Sequence, residues 1–292
     1  MGARMFSLKL TKLKARLYFP RYSLPSWLGN KFREGFGSVL VKAICSYTKP
    51  RCHVCISNDE CLYYVVYERK KQKVGKSPPP RPIVFVPPFF GKFESGKGEI
   101  EVEINLFGNY FVFLPQVIYG LRFLGKIGLN AESRYEVVSI YDVFSRKEIY
   151  DGFRVYAENL TTIDLRKLEP FWLKELLINF HTPIEAHAPL DAENLLKMIR
   201  RRLILFVNEY GNGRIPDFRI DAEIIEESWK KHELIHRSRR GGRRRFYGIT
   251  GFAKYKVYDA DDNAMRLIRI GELIGAGAKA SFGFGFFKIF SI

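Results

Sequence analysis

"IRIGELIGAGAKASFGFGFFKI", residues 268–289, runs from apolar positions at helical spacing through a glycine-rich turn and a serine into an aromatic strand. "FLGKIGLNAESRYEVVSI", residues 123–140, follows the same order of helix end, glycine turn, serine and strand. Self-similarity of this kind is the mark of a duplicated unit. Working outward from the two turns, residues 6–19, 62–68, 98–108 and 133–143 read as strands. Residues 27–45 and 109–125 read as helices, with Pro115 confined to the first turns of the second. The later half repeats the pattern. A strand ends "WLKELLINF" (172–180), and a helix spans 191–211 with Asp191 as N-cap and Gly211 as its stop. A strand covers 247–259, a helix 262–275, and the chain closes on strand 286–290. "KSPPPRPIVFVPP" (76–88) reads as a rigid extended connector. Each half is then βαββαβ, so the expected fold is α+β: two tandem ferredoxin-like domains with antiparallel sheets, residues 1–165 and 166–292, joined in the charged stretch 144–171.

The 292 residues are long enough for two such domains, and 47% hydrophobic content fills their cores. No apolar run reaches the length of a membrane span, and the N-terminal stretch mixes charge with apolar residues instead of carrying a signal-peptide core. The expectation is a cytoplasmic protein with no membrane partner. A net charge of +17 favours a polyanion, because neutralised phosphates release counterions. "RSRRGGRRR" (237–245) gathers Arg237, Arg239, Arg240, Arg243, Arg244 and Arg245 around two glycines, a hairpin tip or arm suited to phosphate. Among 25 Phe, 16 Tyr and 3 Trp, some can stack on unpaired bases and most must form cores.

The glycines of the turn, Gly275, Gly277, Gly283 and Gly285, have no Cβ to block a phosphate; Lys279 adds a cation and Ser281 a hydroxyl. Neither the P-loop spacing nor the dinucleotide fingerprint is present, and a tight connection that needs glycine merely to turn remains the other reading. Cys45, Cys52, Cys55 and Cys61 fall within 17 residues as C-x6-C-x2-C-x5-C. Three states fit that spacing: a structural zinc or iron–sulfur site, two disulfides, or four reduced thiols. A filled four-ligand site would pin the turn and take no part in catalysis.

Residues 275–285 resemble the G-x-G-x-K-x-S-x-G-F-G signature of the CRISPR repeat-processing endoribonucleases, members of the RAMP superfamily. "WLGNKFREGFGSVL" is similar to the first helix of one branch, with Glu34 as an unplaced insertion. "CHVCISNDECLYY", "INFHTPIE", "RRLILFVNEYG" and "WKKHELIHRSRRGG" resemble further segments in the same order. The resemblance implies binding of CRISPR repeat RNA, and other CRISPR effector subunits as further partners. It also implies cleavage by attack of the RNA 2′-hydroxyl on the adjacent phosphate, with no cofactor for catalysis. Where that branch carries a histidine just inside the glycine loop, this chain has Gly275. The general base is therefore sought among five histidines: His53, which follows the first helix, then His236 beside the arginines, with Lys42 and Tyr47 as alternatives. His181 and His187 read as structural or exposed, whereas His232, which adjoins the arginine arm together with His236, is placed to shuttle protons if the RNA lies there. A noncatalytic RAMP-type RNA-binding subunit is the alternative function.

Overall fold

The computed structural model describes residues 5–45, 51–56, 60–74, 78–91, 94–237 and 242–291, with side chains described throughout except at 237 and 291. The described residues form two antiparallel sheets, each covered on one face by two helices. In the first, β1 (Lys9–Leu24) leads to α1 (Leu28–Ile44), β2 (Ile83–Val86), β3 (Glu94–Phe107), α2 (Leu114–Ile127) and β4 (Glu136–Asp142). Its strands lie in the order β2-β3-β1-β4, extended by β5 (Glu148–Tyr150), with β6 (Ile163–Asp164) pairing β1. In the second, β7 (Glu175–Ile184), α3 (Ala192–Tyr210), β8 (Ile220–Arg237), β9 (Arg243–Ala260), α4 (Asp262–Ile274) and β10 (Phe287–Ser291) give the equivalent order β10-β7-β9-β8. The chain is thus a tandem ferredoxin-like α+β protein.

Local chemistry explains the elements. Asp191 and Asp261 cap α3 and α4 by accepting from the amides of Asn194 (2.7 Å) and Ala264 (2.8 Å). Pro115 sits in the first turn of α2, where its missing N–H costs nothing. On β1, Leu13, Ala15, Leu17 and Phe19 point into the first core against Phe32 and Phe36 of α1, while Lys14, Arg16 and Tyr18 alternate outward. The entry to β1 serves the other core: Phe6 and Leu8 just before the strand, and Leu10 at its start, pack with α3 and α4, and Phe107 stacks on Phe206 at 3.9 Å. One strand therefore feeds both cores.

Two expectations are corrected. Residues 62–68 are not a strand: Val65 donates to the Cys61 carbonyl and Tyr64–Glu68 is a helical turn. Leu62, Val65 and Val66, spaced i, i+3, i+4, are the buried side chains, a helical stripe that a short apolar run hides. The connector 76–88 contains β2, whose prolines flank it at the sheet edge, where a missing donor is tolerated. The stretch 144–171 holds β5 and β6, both paired with the first sheet.

Candidate functional site

The β8–β9 hairpin is long enough to leave its own sheet and lean on the first half. Near its end His236 pairs with Arg244, and Arg237 with Arg243. There Phe246 joins Trp27, Phe284 and Phe282 in a small aromatic core shared by the two halves. Trp27, at the start of α1, donates its indole N–H to the Phe282 carbonyl at 2.8 Å. The seam is close: a Cβ on Gly29 of α1 would stand 2.9 Å from Gly283 Cα. Further along β8, His232 bonds Thr250 Oγ1 through Nε2 at 2.7 Å and meets the Phe90 ring edge-on at 5.1 Å.

Beside this core lies a cavity of about 330 Å³, bordered by Arg33, Glu34 and Lys42 of α1, Tyr63, Tyr67 and Glu68 of the helical turn, and His236. Only 8% of His236 is exposed. Its ring runs parallel to Phe246 at 6.0 Å and edge-on to Phe282 (5.2 Å) and Trp27 (6.3 Å). Burial pushes the imidazole below its usual value; Glu34 opposes that shift, and Arg33 and Arg244 add to it. Arg33 lies 4.3 Å over the Phe282 ring, and burial lowers its pKa too. Tyr67 donates to the Arg33 carbonyl at 2.9 Å, and its phenol is pushed up by burial.

The candidates fall apart in space. Lys42 is exposed and borders the cavity with His236. His53 is exposed on the one-turn helix Cys52–Val54 and does not border the cavity. Tyr47, Arg239 and Arg240 lie outside the described residues. Arg243 and Arg244 are exposed near the hairpin end, and Arg245 pairs with Glu233 at 3.2 Å. In the glycine loop, Gly275, Gly283 and Gly285 are buried, whereas Gly277, Lys279 and Ser281 are half-buried. Loop amides are engaged internally: Ala276 donates to Gly285, Gly283 to Ala280, and Gly285 to Pro183. Lys279 pairs with Glu185 and lies 4.5 Å over Phe246. The bare backbone thus serves close packing at three of the four glycines, and its outward surface is Gly277 to Ser281.

All four cysteines are free thiols, half-buried. Among the described residues no group of three or more His, Cys, Asp or Glu side chains is arranged to hold a metal. The Cys52 thiol is pushed up by burial, and Glu68 and the other three thiols push it the same way.

Sequence reasoning missed Glu34 as a neighbour of His236. It also missed a second groove of about 280 Å³ where the sheets meet, bordered by Lys14, Glu101, Asn179, His181 and Lys288. There a cross-strand ladder, Lys12–Glu103 (2.8 Å), Lys14–Glu101 (3.2 Å) and Arg16–Glu99, neutralises the open face of the first sheet. Alternating charge on both strands was the available signal. The excess positive charge must therefore lie elsewhere. No helix among the described residues is long and apolar enough to cross a membrane.

The family models that match are the AF_1859 N-terminal domain, over residues 8–166, and the AF_1859 C-terminal domain, over residues 176–289. An uncharacterized protein of Archaeoglobus fulgidus is 59% identical over 285 residues, 97% of this chain and 99% of its own. Among solved structures, a Cas6 product complex superposes with TM-score 0.52 at 14% identity, covering 96% of this chain and 99% of that one. A Thermus thermophilus Cas6 gives 0.50 at 14%, covering 99% and 100%. A RAMP protein binding different RNA substrates gives 0.52 at 11%, covering 96% and 100%. At such identities the likeness is one of fold, and the fold is Cas6- and RAMP-like.

Proposed function

The chain belongs to the AF_1859 family, and from that premise and the hairpin seam we propose that it binds CRISPR repeat RNA and cleaves it at the cavity holding His236 and Lys42. The observation that carries this reading is the meeting, across the two halves, of an imidazole from β8 with the cations of α1. RNA supplies its own nucleophile. His236 takes the 2′-hydroxyl proton, and the 2′-oxygen bonds to the adjacent phosphorus. The P–O5′ bond breaks, and the Lys42 ammonium protonates the leaving oxygen. The products are a 2′,3′-cyclic phosphate and a 5′-hydroxyl. Arg33 and Lys42 supply the positive charge that the crowded phosphorus needs, and positioned proton transfer of this kind contributes about 10²–10⁴-fold. No metal is needed in this scheme. The relation to Cas6 and RAMP structures that hold RNA, the +17 charge and the exposed Arg243 and Arg244 support the ligand assignment.

One observation favours a second reading. His236 is packed among three aromatic rings, as a brick joining the halves would be, which suits a noncatalytic RAMP-type subunit. Incubation with repeat RNA in EDTA separates the two. Cleavage that stops on a single 2′-deoxy substitution, and in His236→Ala, supports the enzyme; bound but intact RNA supports the subunit.

A further inference from the structure

Glu34 is a carboxylate on the cavity side of a helix whose neighbouring functional groups are cations, Arg33 and Lys42. Its Oε1 stands at ion-pair distance, 3.4 Å, from His236 Nδ1, and that nitrogen is buried and makes no hydrogen bond as placed, so a small turn of either side chain is what closes one. Phe246 lies parallel to one face of the imidazole, while Trp27 and Phe282 meet it edge-on. As placed, Nδ1 is the ring nitrogen that faces Glu34. His236 borders the cavity.

We propose that Glu34 is the positioning residue of the cleavage reaction: it accepts the Nδ1–H of His236 and so leaves the lone pair on Nε2, the nitrogen that takes the 2′-hydroxyl proton. This rests on the enzymatic reading above. The carboxylate has two effects. It selects the Nδ1–H tautomer, since the nitrogen bonded to an acceptor keeps its proton. It also stabilises the imidazolium formed when the 2′-hydroxyl proton arrives, opposing burial and the Arg33 and Arg244 charges. The charged and titratable groups around the ring are Glu34 and Arg33 from α1, Arg244 from β9, and Lys42, Tyr67 and Glu68 across the cavity. Of these Glu34 is the carboxylate at ion-pair distance from the imidazole. The chain thus assembles its base from both halves, imidazole from the second and orienting carboxylate from the first.

The test uses the full chain, labelled with 15N-histidine for NMR and assayed for repeat-RNA cleavage across pH. The wild type is expected to show His236 protonated on Nδ1 in its neutral form. Glu34→Gln, of the same shape but uncharged, should lower the His236 pKa and move the acid limb of the rate profile to lower pH. It should also cut kcat by about 10- to 100-fold, within the range of positioned proton transfer, at nearly unchanged KM. Glu34→Asp keeps the charge and should restore much of the titration, which a mere folding defect would not. A wild-type His236 protonated on Nε2, or a titration unmoved by Glu34→Gln in an enzyme that cleaves, overturns the positioning role alone. Wild-type protein that binds RNA and never cleaves it overturns both the role and the enzymatic reading.

Discussion

The two halves spend the same helix–turn–strand connection differently. After α2, the turn from Gly128 to Ser133 ties back to its own sheet: Asn130 Nδ2 donates to the Ser23 carbonyl at 2.7 Å, and Ser133 Oγ accepts from the Ser23 amide at 3.0 Å. After α4, the turn from Gly275 to Gly285 reaches across to the other half, where Gly283 meets Gly29 and the Phe282 carbonyl meets Trp27. Beneath it lies Arg202 of α3, only 3% exposed, whose Nη1 is within 3.4 Å of the Ala276 carbonyl and whose burial lowers its pKa to about 9. A duplicated unit thus keeps one turn for closing a domain and turns the other into a clamp. The clamp brings α1 and the β8–β9 hairpin together, and the candidate site exists only where they meet.

The hardest way to break the clamp is at Gly285. Its φ is +78°, and a Cβ there would lie 1.9 Å from the Ala276 carbonyl oxygen, backbone that cannot swing aside. Gly285→Val should cost about 4 kcal/mol or more, as strain and overlap combine. Urea denaturation checks this. A loss below 1 kcal/mol would mean that the loop is not clamped as described.

Next in size is the second tie between the halves. Glu209, at the end of α3 and 2% exposed, pairs with Arg69 and accepts the Lys73 amide at 2.9 Å. This fixes the segment that leads from the helical turn bordering the cavity to β2. Glu209→Ala leaves the Arg69 charge partly buried and alone, which should cost about 3 kcal/mol. If the pair serves the site through the cavity wall, cleavage by the folded variant should fall as well. Unchanged stability would show the pair to be solvated.

How far the sequence could be read follows the same division. Contacts within a half left local marks: Asp191 before α3, Gly211 after it, the echo of the two turns. Contacts between halves left none. The charge-rich β8, with Glu226, Glu227, Lys230 and Lys231, does not look like an 18-residue strand, because it is an edge with little apolar face to show. His53 drew notice by its position after α1, yet it stands exposed, and the imidazole beside α1 is His236, brought there by the hairpin. Glu34 looked like an insertion because its partner lies in the other half. Glycines advertise a missing Cβ but not what fills the space, and at Gly283 that is the backbone of Gly29.

The groove between the sheets gives a pH test that leaves the clamp untouched. Burial, and then Lys288, push His181 down to about 4, with Glu103 opposing. A base whose pKa is lower in the folded state lends its full stability above the unfolded value. That stability is lost as pH falls from about 6.5 toward 4, a loss of about 2–3 kcal/mol. His181→Leu should flatten the stability profile in this window. A His236→Ala variant should keep most of the slope, because the large shift belongs to His181. An equal slope in wild type and His181→Leu would place the acid-sensitive group elsewhere.

The smallest effect concerns the hairpin end, which the comparison of halves marks as the outer limit of the site. Arg243 and Arg244 are exposed, and Arg244 stands opposite His236. Neither shapes the aromatic core, so their removal should leave folding within about 0.5 kcal/mol, as for surface positions in general. If each neutralises one phosphate of single-stranded RNA, replacing either by alanine should reduce the slope of log K against log salt by about 0.7. The double variant should reduce it by twice that, since separate phosphates add. Arg245, already paired with Glu233, should change the slope less. A slope that is indifferent to Arg243 and Arg244 would move the RNA track off the hairpin and leave the cavity approached from the α1 side alone.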